Sequence, residues 1–186
     1  MKCIIEHLEP QVFAWCIMEY KHISRIVGKE NCIFTNVPKE EHHKLLGFGS
    51  VHEEKAKDLG FSDVCLLDPE SDDLLTPADA DVFTYYLFGG ILGDFPMRKR
   101  TKEALTSKLP YPTRNIGKKQ MSTDTAVNVV HKIIDFGVPF DKLQFVDEVE
   151  IVLDEGYSQQ LPYRYLIEDG KPVLPEGIID MLLKED

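Results

Sequence analysis

Short apolar runs alternate with helix-periodic stretches along this chain, and that alternation restricts the fold more than any other feature. "KCII" at residues 2–5, "CIFTNV" from Cys32, "VCLLDP" from Val64 and "VFTYYLFGG" from Val82 each read as a buried strand. Phe13, Cys16, Ile17, Tyr20, Ile23 and Val27 recur at helical spacing between the first two runs, with Pro10 at a tolerated first-turn position and Gly28 on the C-cap side. A short helix is expected near residues 38–50, another over 52–59, and a charged one over 97–108. Ser122 or Thr123 can cap a helix reaching about Phe136, with Val129, Val130, Ile133 and Ile134 inward. "TRNIG", "LQFVD" and "IVL" are strand-like, "YRYLIEDGKPVLP" reads as a hairpin about Asp169-Gly170, and a last helix follows Pro175. Strands alternating with helices predict an α/β fold with a mainly parallel sheet. No repeat or linker divides residues 1–186, so one domain is expected.

Charge bears on partners. The net charge of −11 would repel nucleic acid on average and favours a basic protein partner, although a local basic strip runs through Arg98, Lys99, Arg100 and Lys102. Cys3, Cys16, Cys32 and Cys65 have no CxxC spacing and are expected to be small core residues. His42, His43 and His52 lack further ligands at helical spacing, so no metal is expected. No apolar stretch approaches a membrane span, and "MKCIIEHLEPQ" does not have the pattern of a signal peptide. The expected location is the cytoplasm.

Three strand ends stand out: "LLDPE" (66–70), "FGGILGD" (88–94) and "IGKKQMSTDTA" (116–126). Ligands gather at the carboxyl ends of strands in open α/β sheets. The crowded glycines suggest a close approach to the backbone. A polyphosphate suits these loops poorly. The glycines at 89, 90 and 93 do not match GxGxxG, and Asp68 and Asp94 would repel phosphate. S-adenosylmethionine (SAM) fits better, being phosphate-free and carrying a positive sulfonium. Leu87, Ile91 and Met121 could wall such a site. Glycine turns and a capped helix in an α/β domain of some other function are the competing reading.

At these residues a resemblance enters. "IIEHLE" (4–9), "VCLLDP" (64–69), "FGGILGD" with "RKRTKE", "KKQMSTDTA" (118–126) and "LPYRYL…GKPVLPEG" (161–177) span nearly the whole chain. They resemble the small SPOUT-superfamily methyltransferases typified by a yeast enzyme that methylates an arginine of a small-subunit ribosomal protein. The resemblance implies a SPOUT fold with a deep C-terminal trefoil knot and SAM bent within it, leaving S-adenosylhomocysteine (SAH) as product. It implies a cofactor pocket built from Leu67, Asp68 and Pro69, from Phe88, Gly89, Gly90, Ile91, Leu92 and Gly93, and from Gly117, Lys119, Gln120, Met121, Thr123 and Thr125. It also implies a protein-arginine methyltransferase acting on a basic ribosomal protein. The alternative is an RNA methyltransferase of the same fold.

An arginine acceptor is always protonated in water, so carboxylates must hold its planar fork and carry off a proton. Asp94, ending the glycine loop, is the first candidate; Glu6, at the end of the first strand, and Glu9 follow. Glu9 also fits as an acid at a helix start, as does Asp124, and His7 is a weaker candidate base. Arg98 and Arg100 could bind the methionine carboxylate or substrate. The region 38–54 looks shorter than its counterpart in the yeast enzyme, which bears on substrate choice. The acidic chain without extensions is expected to act as a monomer.

Overall fold

The computed structural model describes residues 1–92, 101–154 and 157–183. Six parallel strands form the main sheet: β1 (Lys2–His7), β2 (Cys32–Thr35), β3 (Ser50–Val51), β4 (Val64–Leu67), β5 (Tyr85–Gly90) and β6 (Thr113–Arg114), in the order β3-β2-β1-β5-β4-β6. The expected mainly parallel α/β class is therefore observed. A parallel sheet is covered on both faces, and the strand residues alternate accordingly. Cys3 and Ile5, Cys65 and Leu67, and Tyr86 and Phe88 join one apolar cluster, with residues of helices α1 (Ala14–Val27) and α2 (Thr123–Ile134). Ile4, Val64, Leu66 and Leu87 join a second cluster on the other face, with Ala56 and Leu105.

A separate antiparallel sheet is made by β7 (Phe145–Asp154), β8 (Tyr157–Glu168) and β9 (Lys171–Pro172). Asp169 (φ 51°) and Gly170 (φ 74°) form the β8–β9 turn with both central residues left-handed, as the Asp-Gly pair predicts. The two expected segments "LQFVD" and "IVL" are one strand. A bulge at Glu148 (φ 64°) shifts the register between Asp147 and Val149 and hides the continuity from periodicity. Helix α3 (Ile178–Leu182) packs with Trp15, Met18 and residues of β7 and β8.

Two expectations are corrected, and a third is met in its described part. The first helix starts at Ala14 rather than near Pro10, because the intervening backbone is engaged elsewhere: Leu8 N–H donates to Gly90 O, and Val12 N–H to the Glu41 carboxylate. The helix expected over 52–59 shrinks to a 3-10 turn at Ala56–Asp58. Residues before it extend the pairing beside β2, with His52 N–H on Phe34 O and Asn36 N–H on Glu54 O. Of the charged helix over 97–108, residues 97–100 lie outside the described residues, and Lys102–Thr106 form a π-helical turn. The four cysteines are buried and free, as expected. Burial pushes the thiols of Cys16, Cys32 and Cys65 up to about 11, 12 and 12, too high for a nucleophile at neutral pH.

Candidate active site

The chain leaves β1 toward β2 and β3, then returns on the other side of it through β4, β5 and β6. The carboxyl ends of β4, β5 and β6 are therefore neighbours, and the three unusual loops emerge from one edge of the sheet. Side chains lock two of them together. Asn115 Nδ2 donates to Ser71 O at 3.0 Å, Lys118 Nζ to the same carbonyl at 2.7 Å, and Asn115 Oδ1 accepts from Gly117 N–H at 3.0 Å. Asp68 is buried and engaged locally, accepting from Glu70 N–H at 2.9 Å and from the Thr106 hydroxyl at 2.6 Å. It closes the 68–71 turn, and Pro69 rides on it.

The third loop is tied to β8. Gln120 O accepts from Arg164 N–H at 2.9 Å, and Met121 bridges Arg164. Lys119 pairs with Asp147 at 2.6 Å, which Arg164 also engages; the two cations, Arg164 foremost, hold the Asp147 carboxyl well below its usual range. Ser122 occupies the N-cap position of α2 without a side-chain cap to the backbone, its hydroxyl donating instead to Thr125 Oγ1 at 2.8 Å, and Thr123 and Thr125 are buried in the first turn. Gly117 adopts φ 95°, where a Cβ would meet the Phe140 ring.

The glycine pair at the end of β5 has two different explanations. At Gly90 a Cβ would overlap the Tyr20 hydroxyl and approach Ile5 Cγ2 at 2.9 Å and Glu6 O at 3.2 Å. That glycine is required by the packing of α1 on the sheet. At Gly89 the nearest atom is Ile91 Cδ1 at 3.1 Å, the movable end of a side chain, so internal packing alone does not demand glycine. Leu67 and Phe88 are buried, and Ile91 and Leu92 are half-buried.

The candidate carboxylates separate. Glu6 is buried; its Oε2 accepts from the Thr35 hydroxyl at 2.5 Å and from Ala56 N–H at 2.8 Å. Alternation along β1 sets it on the face of Ile4 and Ala56, opposite α1. Glu9 Oε1 accepts from Leu92 N–H at 2.9 Å and so holds the start of the segment after β5. Gly93, Asp94, Arg98 and Arg100 lie outside the described residues. His7 is buried, its Nδ1 2.9 Å from Tyr20 Oη, and burial lowers its basicity. Asp124, expected only as a helix-start acid, is 1 % exposed and lies 2.7 Å from His22 Nδ1.

A cavity of about 560 Å³ opens at this same sheet edge, between the start of α1, the start of α2 and β8. Phe13, Trp15, Leu161 and Tyr163 line it, with Leu92 and Ser122 from the loops after β5 and β6, and Glu19. Glu19 is 6 % exposed and accepts from Trp15 Nε1 at 2.8 Å. Burial, and then the neighbouring Asp124 charge, push its carboxyl up to about 8; Trp15 and Thr123 offset only part of this. Sequence reasoning missed Glu19, although a signal existed. It lies three residues after Cys16 and four before Ile23, so it is a carboxylate on the inward stripe of α1.

A family model described as "Protein arginine N-methyltransferase SFM1-like" matches residues 2–186. The chain belongs to the SFM1-like family. It is 39 % identical to protein arginine N-methyltransferase SFM1 of Saccharomyces cerevisiae, over 100 % of this chain and 95 % of that one. The crystal structure of the yeast arginine methyltransferase SFM1 with SAH matches at a TM-score of 0.90 and 37 % identity, covering 97 % of this chain and 94 % of that one. The complex with SAM matches at 0.89 and 38 %, covering 99 % and 90 %. The SPOUT-type sheet implied by the sequence motifs is thus the fold of this SFM1-like chain.

Proposed function

We propose that this chain transfers a methyl group from SAM to an arginine of a basic protein, with a small-subunit ribosomal protein as substrate. The observation that carries this reading is the match to SFM1 over the full length of the chain. The cofactor is assigned to the loops that meet at one sheet edge: Leu67–Pro69, Phe88–Gly93 and Gly117–Thr125. The crystallised SFM1 complexes with SAM and SAH support that choice of cofactor. The C-terminal half is proposed to form the trefoil knot around the bent cofactor. Net charge −11 suits a basic acceptor and opposes RNA. Location in the cytoplasm and action as a monomer complete the proposal.

Methyl transfer from a sulfonium is an in-line displacement, so the protein mainly supplies position. Well-oriented placement can contribute about 7–11 kcal/mol. Glu9, through the Leu92 amide, would steady the segment leading from the glycine pair. Asp94 keeps its assignment beside the methyl from its place at the end of the glycine loop. Glu6, committed to Ala56 and Thr35, would support the end of β1 rather than meet the acceptor.

The test is incubation with methyl-labelled SAM and separated ribosomal protein and RNA fractions. Label is expected in the protein fraction, on arginine after hydrolysis. Label confined to RNA would overturn the proposal and favour the RNA reading.

A further inference from the structure

We infer that the cavity between α1, the start of α2 and β8 receives the acceptor arginine, with the Glu19 carboxylate holding its guanidinium. This inference rests on the proposed arginine methyl transfer and gives that reaction its acceptor site.

Size and lining suit the ligand. About 560 Å³ accommodates an arginine side chain with adjoining backbone. Phe13, Trp15 and Tyr163 offer aromatic surface for the methylenes and for the flat face of a guanidinium. Among the described lining residues Glu19 is the one carboxyl group, and there is no Lys, Arg or His. A cation is therefore favoured there. The carboxylate of the donor's methionine part would face Glu19 without a compensating base. The cavity also shares Leu92 and Ser122 with the loops assigned to SAM, so an arginine lying in it borders the donor.

Glu19 is held for this task. Trp15 Nε1, 2.8 Å away, fixes one oxygen, and the carboxyl lies at the first turn of α2 beside Thr123. Behind it stands Asp124, whose buried Oδ1 has no hydrogen-bond partner among the described residues and whose Oδ2 meets His22. Among the described residues, Trp15, Cys16 and Tyr20 from α1, Thr123 and Asp124 from α2, and Tyr163 and Tyr165 from β8 surround Glu19. Among the described residues the base in this neighbourhood is His22, and it is paired with Asp124 rather than with Glu19.

The charge cycle follows. In the empty cavity Glu19 holds its proton up to about pH 8. An arriving guanidinium favours the carboxylate, and the proton leaves to water. In the transfer, the sulfur–methyl bond breaks with its electron pair going to sulfur, giving neutral SAH. A guanidinium nitrogen forms the new bond to the methyl carbon and gives its proton to Glu19. The acceptor leaves as a methylguanidinium that is still positive, now opposite a neutral acid, which favours release.

Trp15 is the chain's single tryptophan, so its fluorescence reports directly on this cavity. Titration with N-acetyl-arginine amide is expected to give a saturable change, with N-acetyl-lysine amide binding more weakly. In Glu19→Gln the arginine response should weaken at least about tenfold, and labelled methyl transfer should fall about 100-fold. Affinity for SAH, measured by calorimetry, should stay within about twofold of the wild type. Glu19→Asp should recover part of the activity.

Glu19 also links stability to pH. Below the ordinary carboxylate value of 4.5 both the folded and unfolded chains carry a protonated Glu19. As pH rises the unfolded chain releases that proton first, so the stability contributed by Glu19 declines until it ionises in the fold near 8. The glutamine variant cannot titrate and should therefore gain stability relative to wild type across that window. The inference is overturned if wild type methylates arginine and folded Glu19→Gln does so equally well. It is also overturned if SAH and not arginine amide alters Trp15 emission, with SAH affinity falling in Glu19→Gln. Wild-type label confined to RNA would refute the parent reading instead.

Discussion

Gly90→Ala is expected to destabilise the protein by about 1–3 kcal/mol, at about 2–4 °C of melting temperature per kcal/mol. The added methyl would overlap the Tyr20 hydroxyl and press on Ile5 Cγ2 and the Glu6 carbonyl. None of these can retreat cheaply. Tyr20 is buried, its ring stacks on Phe34 at 5.0 Å, and its hydroxyl meets His7. Ile5 and Glu6 are sheet residues paired to β5. Removing the hydroxyl as well, in Gly90→Ala with Tyr20→Phe, should return part of the loss, because the two sites share one contact. Gly89→Ala is expected to behave oppositely. Its Cβ meets the flexible end of Ile91, so the melting temperature should change little, while SAH affinity drops if the cofactor lies against that backbone. Equal melting temperatures for Gly90→Ala and wild type would remove the packing explanation.

The second large effect is expected at Asp79. This buried acid serves two partners at once. Oδ2 accepts from the amide and hydroxyl of Thr76, at 2.8 and 3.1 Å, closing a capping box over Pro77–Asp81. Oδ1 accepts from Arg114 Nε at 3.0 Å, and the Arg114 guanidinium lies 5.3 Å from the centre of the Phe83 ring. Asp79→Ala removes the cap and strands the arginine. Breaking a buried pair costs roughly 3–5 kcal/mol. The lower end applies here, since the Arg114 side chain keeps 22 % exposure and has Asp73 at 3.8 Å. Arg114 belongs to β6, which leads directly into Asn115 and the Lys118 contact with Ser71. Loss of the pair should therefore weaken SAH binding as well as stability. Urea unfolding of Asp79→Ala beside Asp79→Ala/Arg114→Met measures it. The double variant should be the more stable, because it leaves no unpaired cation, and the reverse order would contradict this account of the pair.

Much of the fold was legible because its signals are local. Alternating apolar runs and helical stripes predicted the parallel class, and Asp169-Gly170 placed its turn through a conformation few residue pairs adopt. Errors arose where backbone bonds run to distant partners. Pro10 looked like a helix start, yet residues 8–12 are taken by Gly90 and Glu41. Glu148 interrupts the alternation of β7 because it sits in a bulge. The glycine crowding suggested a close approach to the backbone, and at Gly90 one such approach, from Tyr20, is internal to the fold. For Glu6 the sequence showed a carboxylate at a strand end, while its bonds to Thr35 and Ala56 come from distant segments and could not be read there. The cavity itself could not be foreseen, since Trp15 and Glu19 meet Leu161 and Tyr163 only once β8 has packed over α1.

Calorimetric titration of the purified chain with SAM and SAH tests the central claim, a cofactor site at the joined strand ends, most directly. Saturable binding of one cofactor per chain is expected, weakened in Gly89→Ala and retained in Glu19→Gln. Absence of any heat of association with either compound would contradict it.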